Sequence, residues 1–122
     1  LIDTLEAQVK TLAKVQAPSG LWRTILDDET SYEEAAASAG FAYGILKAVR
    51  KGYISREYEA VGVRGAKAVR DHISAEGELT QVSFGTPVFN SIQEYKDIPL
   101  TSMPFGQAMA LLAMGEFMYR FI

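Results

Sequence analysis

The chain has 122 residues, of which 48% are hydrophobic and 22% charged, and its formal net charge is −3. These values are typical of a single globular domain. Lysine and arginine are dispersed among acidic residues, which argues against a nucleic-acid partner. The absence of cysteine excludes disulfides, thiol catalysis and thiolate metal sites.

The amino-terminal residues already lie inside an amphipathic helical pattern. The chain begins at Leu1 without a methionine and without a signal peptide. We therefore expect part of the protein to precede Leu1, and we expect a cytoplasmic location, with a signal peptide ahead of Leu1 as the open alternative. Apolar residues at three- and four-residue spacing predict a first helix over 2–16, which Pro18 and Gly20 terminate.

A second helix is predicted over 31–51, and it is apolar on nearly every side. Ser31-Tyr32-Glu33-Glu34 matches a capping box, in which the serine hydroxyl and the Glu34 carboxylate each accept a backbone amide near the helix start. Gly52 suits the left-handed conformation that ends many helices. The turn that follows is short, so the next helix should run antiparallel to this one.

The third helix is predicted over 55–73 and carries a single apolar stripe. A stretch rich in Gly, Ser, Thr and Pro then covers 74–103, with a short strand predicted over 78–84. The last helix, over 104–121, begins at Pro104 with Ser102 or Met103 as its cap, and is again apolar all round. Both fully apolar helices are interrupted by Gly or charged residues, so we expect no membrane span.

The predicted fold is all-α, with amphipathic outer helices alternating with buried inner helices, and a long loop before each inner helix. This order places both long loops at the same end of the inner helices. Loops of this length are uncommon unless they are functional or disordered, so the two loops mark the expected site. A ring of outer and inner helices explains this order. The alternative is a stand-alone four-helix bundle, which would need an amphipathic stripe on every helix.

Several separate blocks of the sequence resemble one family. They occur in the same order as in the carboxy-terminal part of unsaturated rhamnogalacturonyl hydrolases, which form glycoside hydrolase family 105 and are similar to the unsaturated glucuronyl hydrolases. The blocks are Ser19-Gly20-Leu21-Trp22, Ile25-Leu26-Asp27-Asp28, Ser31-Tyr32-Glu33, 38–45, Gly77-Glu78-Leu79, Ser83-Phe84-Gly85-Thr86 and 98–108.

The resemblance implies an (α/α)6 barrel of six helical hairpins, of which residues 1–122 would supply about two, as the carboxy-terminal part of a single domain. It also implies an enzyme of pectin degradation that removes a terminal unsaturated galacturonic acid from rhamnogalacturonan oligosaccharides. In that chemistry an aspartic acid protonates the C4–C5 double bond, water adds, and the resulting hemiketal opens and releases the neighbouring sugar. The resemblance implies no metal and no organic cofactor.

The family's catalytic aspartates lie in earlier hairpins, so no catalytic residue is assigned in this chain and the fragment alone is expected to be inactive. Four residues are candidates for substrate binding. Trp22 would stack on a sugar or else pack against the inner helices, and Arg23 would meet a sugar carboxylate or else form a surface ion pair. Thr101 and Ser102 would bond to sugar oxygens or else cap the last helix.

An acidic run, Asp27, Asp28 and Glu29, offers three further readings. Paired carboxylates occur in ordinary glycosidases, and oxygen ligands occur in calcium sites, but the run lacks the alternating aspartates and central glycine of a calcium loop. A solvated loop is the simpler interpretation.

Two functions stay open at this point. In one, the chain is part of a hydrolase whose partner is an unsaturated uronyl oligosaccharide. In the other, it is a stand-alone helical module for interaction or sugar binding, without catalysis. A homo-oligomer is expected if the segment is stable alone, because the apolar helices would otherwise expose large apolar patches.

Overall fold

The structure, a computed structural model, describes residues 1–121. It is mostly helical, which confirms the predicted all-α class, and adds two short antiparallel ribbons. The helices are α1 (Ile2–Val15), α2 (Ala35–Arg50), α3 (Glu59–Asp71), α4 (Ile92–Lys96) and α5 (Pro104–Met118), the strands are β1 (Trp22–Arg23), β2 (Glu33–Glu34), β3 (Val82–Ser83) and β4 (Leu100–Thr101), and the 3-10 turns are Arg56–Tyr58 and Tyr119–Phe121.

Helix α2 lies at the centre of the described structure and packs against both α3 and α5. Its alanines join the core shared with these helices, and Ile45 and Ala48 pack against Val9 and Leu12 of α1. Close approach between α2 and α3 depends on Gly65, since a Cβ atom there would lie 2.9 Å from the Trp22 ring and 3.2 Å from Ala42 Cβ. The outer helices α1 and α3 thus flank the inner helix α2, as predicted.

Helix α5 is covered on one side only. Ala110, Ala113 and Phe117 are buried, whereas Leu111 and Met118 are 69% and 62% exposed. The prediction that an inner helix would be left uncovered is confirmed for α5. It is wrong for α2, whose apolar side chains are nearly all buried or half-buried because α1, α3 and α5 surround it.

Several helix boundaries differ from the sequence prediction. Helix α2 begins at Ala35 rather than at residue 31, and α3 begins at Glu59 after a 3-10 turn that Ser55 caps by accepting the Glu57 amide. Helix α5 begins at Pro104 with Met103 at the cap position, as predicted. Gly52 has a φ of +74°, which confirms its left-handed conformation after α2.

The segment 74–103 holds more structure than predicted. The predicted strand 78–84 is reduced to β3, with a single bridge between Ile73 and Leu79, because only Val82 and Ser83 find a partner strand, β4. The short helix α4 was not predicted, and Ser91 caps it by accepting the Glu94 amide. Within residues 1–121, no helix is both long and apolar enough to cross a bilayer.

Candidate functional site

The two long loops meet at the amino-terminal ends of α2 and α5. The ribbon β1–β2 pairs Trp22 with Glu34, and the ribbon β3–β4 pairs Val82 with Thr101. The loops are joined where the amide of Ala35 donates a 2.8 Å hydrogen bond to the carbonyl of Gln81. The prediction that both loops lie at one end is confirmed, and this surface, formed by residues 16–34 and 74–103, is called the loop face below.

The carboxylate of Glu34 holds the centre of the loop face. It is buried and accepts the amides of Ala36 at 2.9 Å, Ala37 at 2.7 Å and Ser83 at 3.3 Å. A negative charge at this position also opposes the positive end of the α2 dipole. Glu34 therefore caps α2 and attaches the second loop to it.

This arrangement corrects the predicted capping box. Ser31 lies four residues before the helix, and its buried hydroxyl donates to the carbonyls of Ile25 and Asp28 and accepts the amide of Ile25. Glu34 does not reach back to the Ser31 amide, which donates to the carbonyl of Asp28. It is instead the cap residue itself and accepts the amides of Ala36 and Ala37. The hydroxyl of Ser31 organises the turn of the first loop rather than the helix start.

Gln81 adopts a left-handed backbone conformation, with a φ of +63°. This conformation costs a non-glycine residue roughly 1–2 kcal/mol, and two hydrogen bonds hold it. Its carbonyl accepts the Ala35 amide, and its side-chain amide donates to the carbonyl of Glu33 at 3.0 Å. No pattern in the sequence predicted this residue, because both of its partners are more than 40 residues away.

A second link between the loops runs through Lys96 of α4. Its ammonium lies 3.4 Å from a carboxylate oxygen of Asp28 and also donates to the hydroxyl of Thr30. The hydroxyl and amide of Thr30 donate to Asp28, and these bonds, followed by the attraction of Lys96, lower the pKa of Asp28 below its ordinary value. The solvated-loop interpretation of the acidic run thus holds for Asp27 and Glu29, which are exposed, whereas Asp28 is half-buried and joins the two loops.

The structure corrects the stacking role predicted for Trp22. The indole is 1% exposed, its Nε1 donates to the Leu12 carbonyl at 2.9 Å, and Phe41 meets it edge to face at 5.4 Å. Neither face of the ring is open to a sugar. The backbone amide of Trp22 is also occupied, by the buried hydroxyl of Ser38 at 2.8 Å, so Trp22 serves as a core residue beneath the loop face.

Arg23 is half-buried in β1 and lines a hollow of about 530 Å³ together with Lys14, Gln16, Asp27 and Glu29. Its guanidinium makes no hydrogen bond or ion pair with another residue of the described part of the chain. The surface ion pair considered for Arg23 is therefore not formed within residues 1–121. Its forked donors remain available to a carboxylate.

Thr101 and Ser102 lie together at the other side of the loop face. Thr101 is exposed in β4, and Ser102 is half-buried in a hollow of about 270 Å³ that Glu78 and Gln107 also line. Neither hydroxyl caps α5, whose cap residue, Met103, makes no side-chain bond. The structure brings these two residues together but places Arg23 in a separate hollow.

Gln107 anchors the second loop to the first turns of α5, and the sequence analysis did not identify it. Its side-chain oxygen accepts the Leu79 amide at 3.0 Å, and its side-chain nitrogen donates to the Gly77 carbonyl at 2.7 Å. One residue earlier, a Cβ atom at Gly106 would lie 2.8 Å from Val82, so glycine lets α5 approach β3. These contacts fix the second loop, including the β3–β4 ribbon that carries Thr101, against the start of α5.

Comparison with known proteins decides the family. The family model described as Glycosyl Hydrolase Family 88 matches residues 1–121. The chain belongs to this family. Among the curated relatives of this family 88 chain is the unsaturated rhamnogalacturonyl hydrolase YesR of Bacillus subtilis (strain 168), which is 33% identical over 118 residues, covering 95% of this chain and 33% of YesR.

Solved structures agree with this assignment. A possible member of the GH105 family from Salmonella enterica serovar Paratyphi A is 53% identical, with a TM-score of 0.96, over 99% of this chain and 32% of that protein. A possible member of the same family from Klebsiella pneumoniae is 50% identical, with a TM-score of 0.96 and the same coverage. The family 88 chain thus spans about a third of the length of these relatives.

At the loop face of this family 88 chain, the carboxylates of Glu34 and Asp28 are engaged in structural contacts, whereas other polar groups can meet a ligand. Glu34, the buried carboxylate of the loop face, already accepts three amides, and Asp28 is committed to Thr30 and Lys96. The guanidinium of Arg23, which pairs with no other residue of 1–121, and the hydroxyls of Thr101 and Ser102 suit the carboxylate and hydroxyl groups of a sugar. Within residues 1–121, no group of three or more His, Asp or Glu side chains is arranged to hold a metal ion.

Proposed function

We propose that this chain forms one wall of the sugar-binding site in a hydrolase that removes the terminal unsaturated galacturonic acid from rhamnogalacturonan oligosaccharides. The observation that carries the proposal is its match to the unsaturated rhamnogalacturonyl hydrolase YesR along 95% of its length. The loop face supports it, because two long loops are tied together at the ends of two helices and leave the Arg23 guanidinium unpaired within residues 1–121.

In the proposed reaction a carboxylic acid protonates the C4–C5 double bond of the unsaturated uronate. Water then adds to the resulting cation and loses a proton, and the hemiketal opens and releases the neighbouring sugar. The acid belongs to the part of the relatives that this chain does not span. General acid–base catalysis by a carboxyl group suffices for these steps.

Arg23 is proposed to contact the uronate carboxylate, and Thr101 and Ser102 are proposed to contact sugar hydroxyls. The hollow at Arg23 also contains Lys14, Asp27 and Glu29, so its positive and negative charges balance. Attraction of the substrate then depends on a short two-pronged contact from the guanidinium rather than on a broad positive field.

The test is an exchange protein, in which this chain replaces the matching 118-residue stretch of YesR. Hydration of the double bond abolishes its ultraviolet absorbance, so turnover of an unsaturated rhamnogalacturonan disaccharide is followed directly. We expect turnover by the exchange protein and none by residues 1–122 alone. A folded exchange protein, judged by circular dichroism and a cooperative melt, that leaves the disaccharide intact would refute the proposal. If that protein does not fold, the same exchange into the 53% identical Salmonella relative replaces it, with the unmodified relative as the reference for activity.

The exposed face of α5 supports a second candidate, a non-catalytic helical module. Phe105, Leu111, Leu112 and Met118 are each at least 45% exposed, and patches of this kind usually mark an interface. In that case a second copy would cover the face, and residues 1–122 would form a defined oligomer in light scattering coupled to gel filtration. A soluble monomer, or aggregation without a defined size, would exclude this candidate.

A further inference from the structure

An open hollow in the second loop lies outside the groups assigned above. It has a volume of about 350 Å³, and its lining includes Phe84, Pro87, Phe89, Glu94, Asp97 and Ile98. It shares no lining residue with the hollows at Arg23 and Ser102. It lies within the loop face beside β3 and β4, since Phe84 directly follows β3 and Pro99, another lining residue, directly precedes β4.

Phe84 presents a large apolar ring to solvent from a fixed position. Its side chain is 62% exposed, yet its backbone amide donates to the Pro99 carbonyl at 2.9 Å directly after the β3–β4 ribbon. A flexible loop could turn such a ring inward, but the Phe84 amide is bonded to Pro99 and the preceding residue, Ser83, is paired with Leu100 in the ribbon. An exposed, immobilised aromatic ring beside an apolar hollow is a feature of binding sites.

The far side of the hollow is equally ordered. Phe89 meets Tyr95 edge to face at 5.0 Å and donates its amide to the Tyr95 hydroxyl at 3.0 Å. Ile98 is buried beneath the hollow, and Lys96 fastens α4 to the first loop. The hollow is thus preformed within residues 1–121, so ligand binding would not require the conformational entropy loss of ordering this loop.

Two carboxylates in the lining define what this hollow can bind. Glu94 and Asp97 each use one oxygen locally, to accept the Asn90 amide and the Gln93 side chain. The second oxygen of each makes no hydrogen bond within residues 1–121. Together they can accept hydroxyl hydrogens, whereas they repel an anion, so a uronate is disfavoured.

We infer that this hollow is a subsite for a neutral sugar of the substrate, located beyond the two sugars between which cleavage occurs. The apolar C–H face of the sugar packs on Phe84, and its hydroxyls donate to Glu94 and Asp97. The inference rests on the proposed function, because it assigns the hollow to the same oligosaccharide. Among sugars of rhamnogalacturonan, the rhamnose residue is neutral and has an apolar methyl group, which matches this lining.

The test compares an unsaturated disaccharide with a rhamnose-ended unsaturated tetrasaccharide as substrates of the exchange protein. For Phe84→Ala we expect KM for the tetrasaccharide to rise about tenfold with kcat unchanged, because the contact is the same in the ground state and the transition state. Kinetics on the disaccharide should not change. Phe84→Trp keeps an aromatic ring, so its KM for the tetrasaccharide should stay within about twofold of the parent's. The control is Val88→Ala, at a 95% exposed position in the same loop, which should leave the kinetics of both substrates unchanged.

The outcomes separate the two ideas. An unchanged KM for the tetrasaccharide in Phe84→Ala would overturn the subsite. The proposed function would still hold in that case if the exchange protein turns over the disaccharide. Equal changes on both substrates would also overturn it, because the hollow would then serve the cleaved pair. Absence of disaccharide turnover by the folded parent protein would refute the proposed function, and the subsite with it.

Discussion

Replacing Glu34 by alanine in the exchange protein tests how the loop face is held. The substitution removes a buried carboxylate that accepts two amides of α2 and, at the longer distance of 3.3 Å, the amide of Ser83. The helix start loses its cap, and we take the resulting loss of stability as about 2 kcal/mol, the upper end of the range for capping side chains. The longer bond to Ser83 contributes about 1 kcal/mol, near the average for a hydrogen bond in a folded protein.

Hydrogen exchange resolves these two contributions by position. With a factor of ten for every 1.4 kcal/mol, amides at 35–38 should exchange roughly 30-fold faster and amides at 80–86 roughly 5-fold faster than in the parent. Mass spectrometry of peptic peptides measures both segments in one experiment. The second segment is the informative one, because it lies almost 50 residues from the substitution.

Glu33→Ala provides the matched control. Within residues 1–121, the hydroxyl of Ser19 is the one hydrogen-bond donor to the Glu33 carboxylate. The Glu33 carbonyl that accepts Gln81 belongs to the backbone and is retained. We expect no change in exchange at 80–86. If Glu34→Ala also leaves 80–86 unchanged while 35–38 opens, the carboxylate caps the helix but does not hold the second loop, and the reasoning fails at that step.

Three further predictions concern the exchange protein. The pKa of Asp28 is lowered in the folded protein, first by hydrogen bonds from Thr30 and then by Lys96. The ionised carboxylate therefore stabilises the fold at pH values above the ordinary pKa of 3.8. This stabilisation is lost as the pH falls through the lower folded-state pKa. The melting temperature of Asp28→Asn should therefore fall below the parent's at neutral pH and approach it as the pH drops towards about 3; a constant difference across this range would contradict the sign. Gly65→Ala should destabilise by about 1–2 kcal/mol in urea titrations, because the 2.9 Å clash with Trp22 outweighs the roughly 1 kcal/mol that alanine gains in a helix, and a stabilised variant would contradict it. Trp22→Phe should lower the melting temperature, because it deletes the buried hydrogen bond to the Leu12 carbonyl, and should leave KM for the disaccharide unchanged. A raised KM would show that the indole contributes to substrate binding.

Local patterns in the sequence predicted much of this fold. The positions of α1, α2, α3 and α5 follow from apolar periodicity, and the starts of α5 at Pro104 and of the turn after α2 at Gly52 follow from residue-specific backbone preferences. The uncovered side of α5 was predicted as well, since a helix with no polar face must find a covering layer. These properties depend on neighbours within about one helical turn.

The candidate site was predicted less well, because its side chains are positioned by distant partners. The capping pattern at Ser31 was present, yet Glu34 is the cap, because Glu33 and Glu34 pair with the first loop as a strand and the helix begins only after them. For Trp22 the sequence left two roles open, stacking on a sugar and packing against the inner helices, because its place in a loop after glycine is compatible with both. Its burial requires α1, α2 and α3 to close around it.

By itself, the sequence determined an all-α chain with two inner helices, the end of the molecule at which its loops gather, and its family resemblance. Only the tertiary structure decided that Glu34 joins the loops, that Trp22 belongs to the core, and that Phe84 stands exposed beside a preformed hollow. The physical reason is the range of the interactions involved. Helix formation is decided over a few neighbouring residues, whereas burial and polar pairing are decided by residues that meet only after the chain has folded.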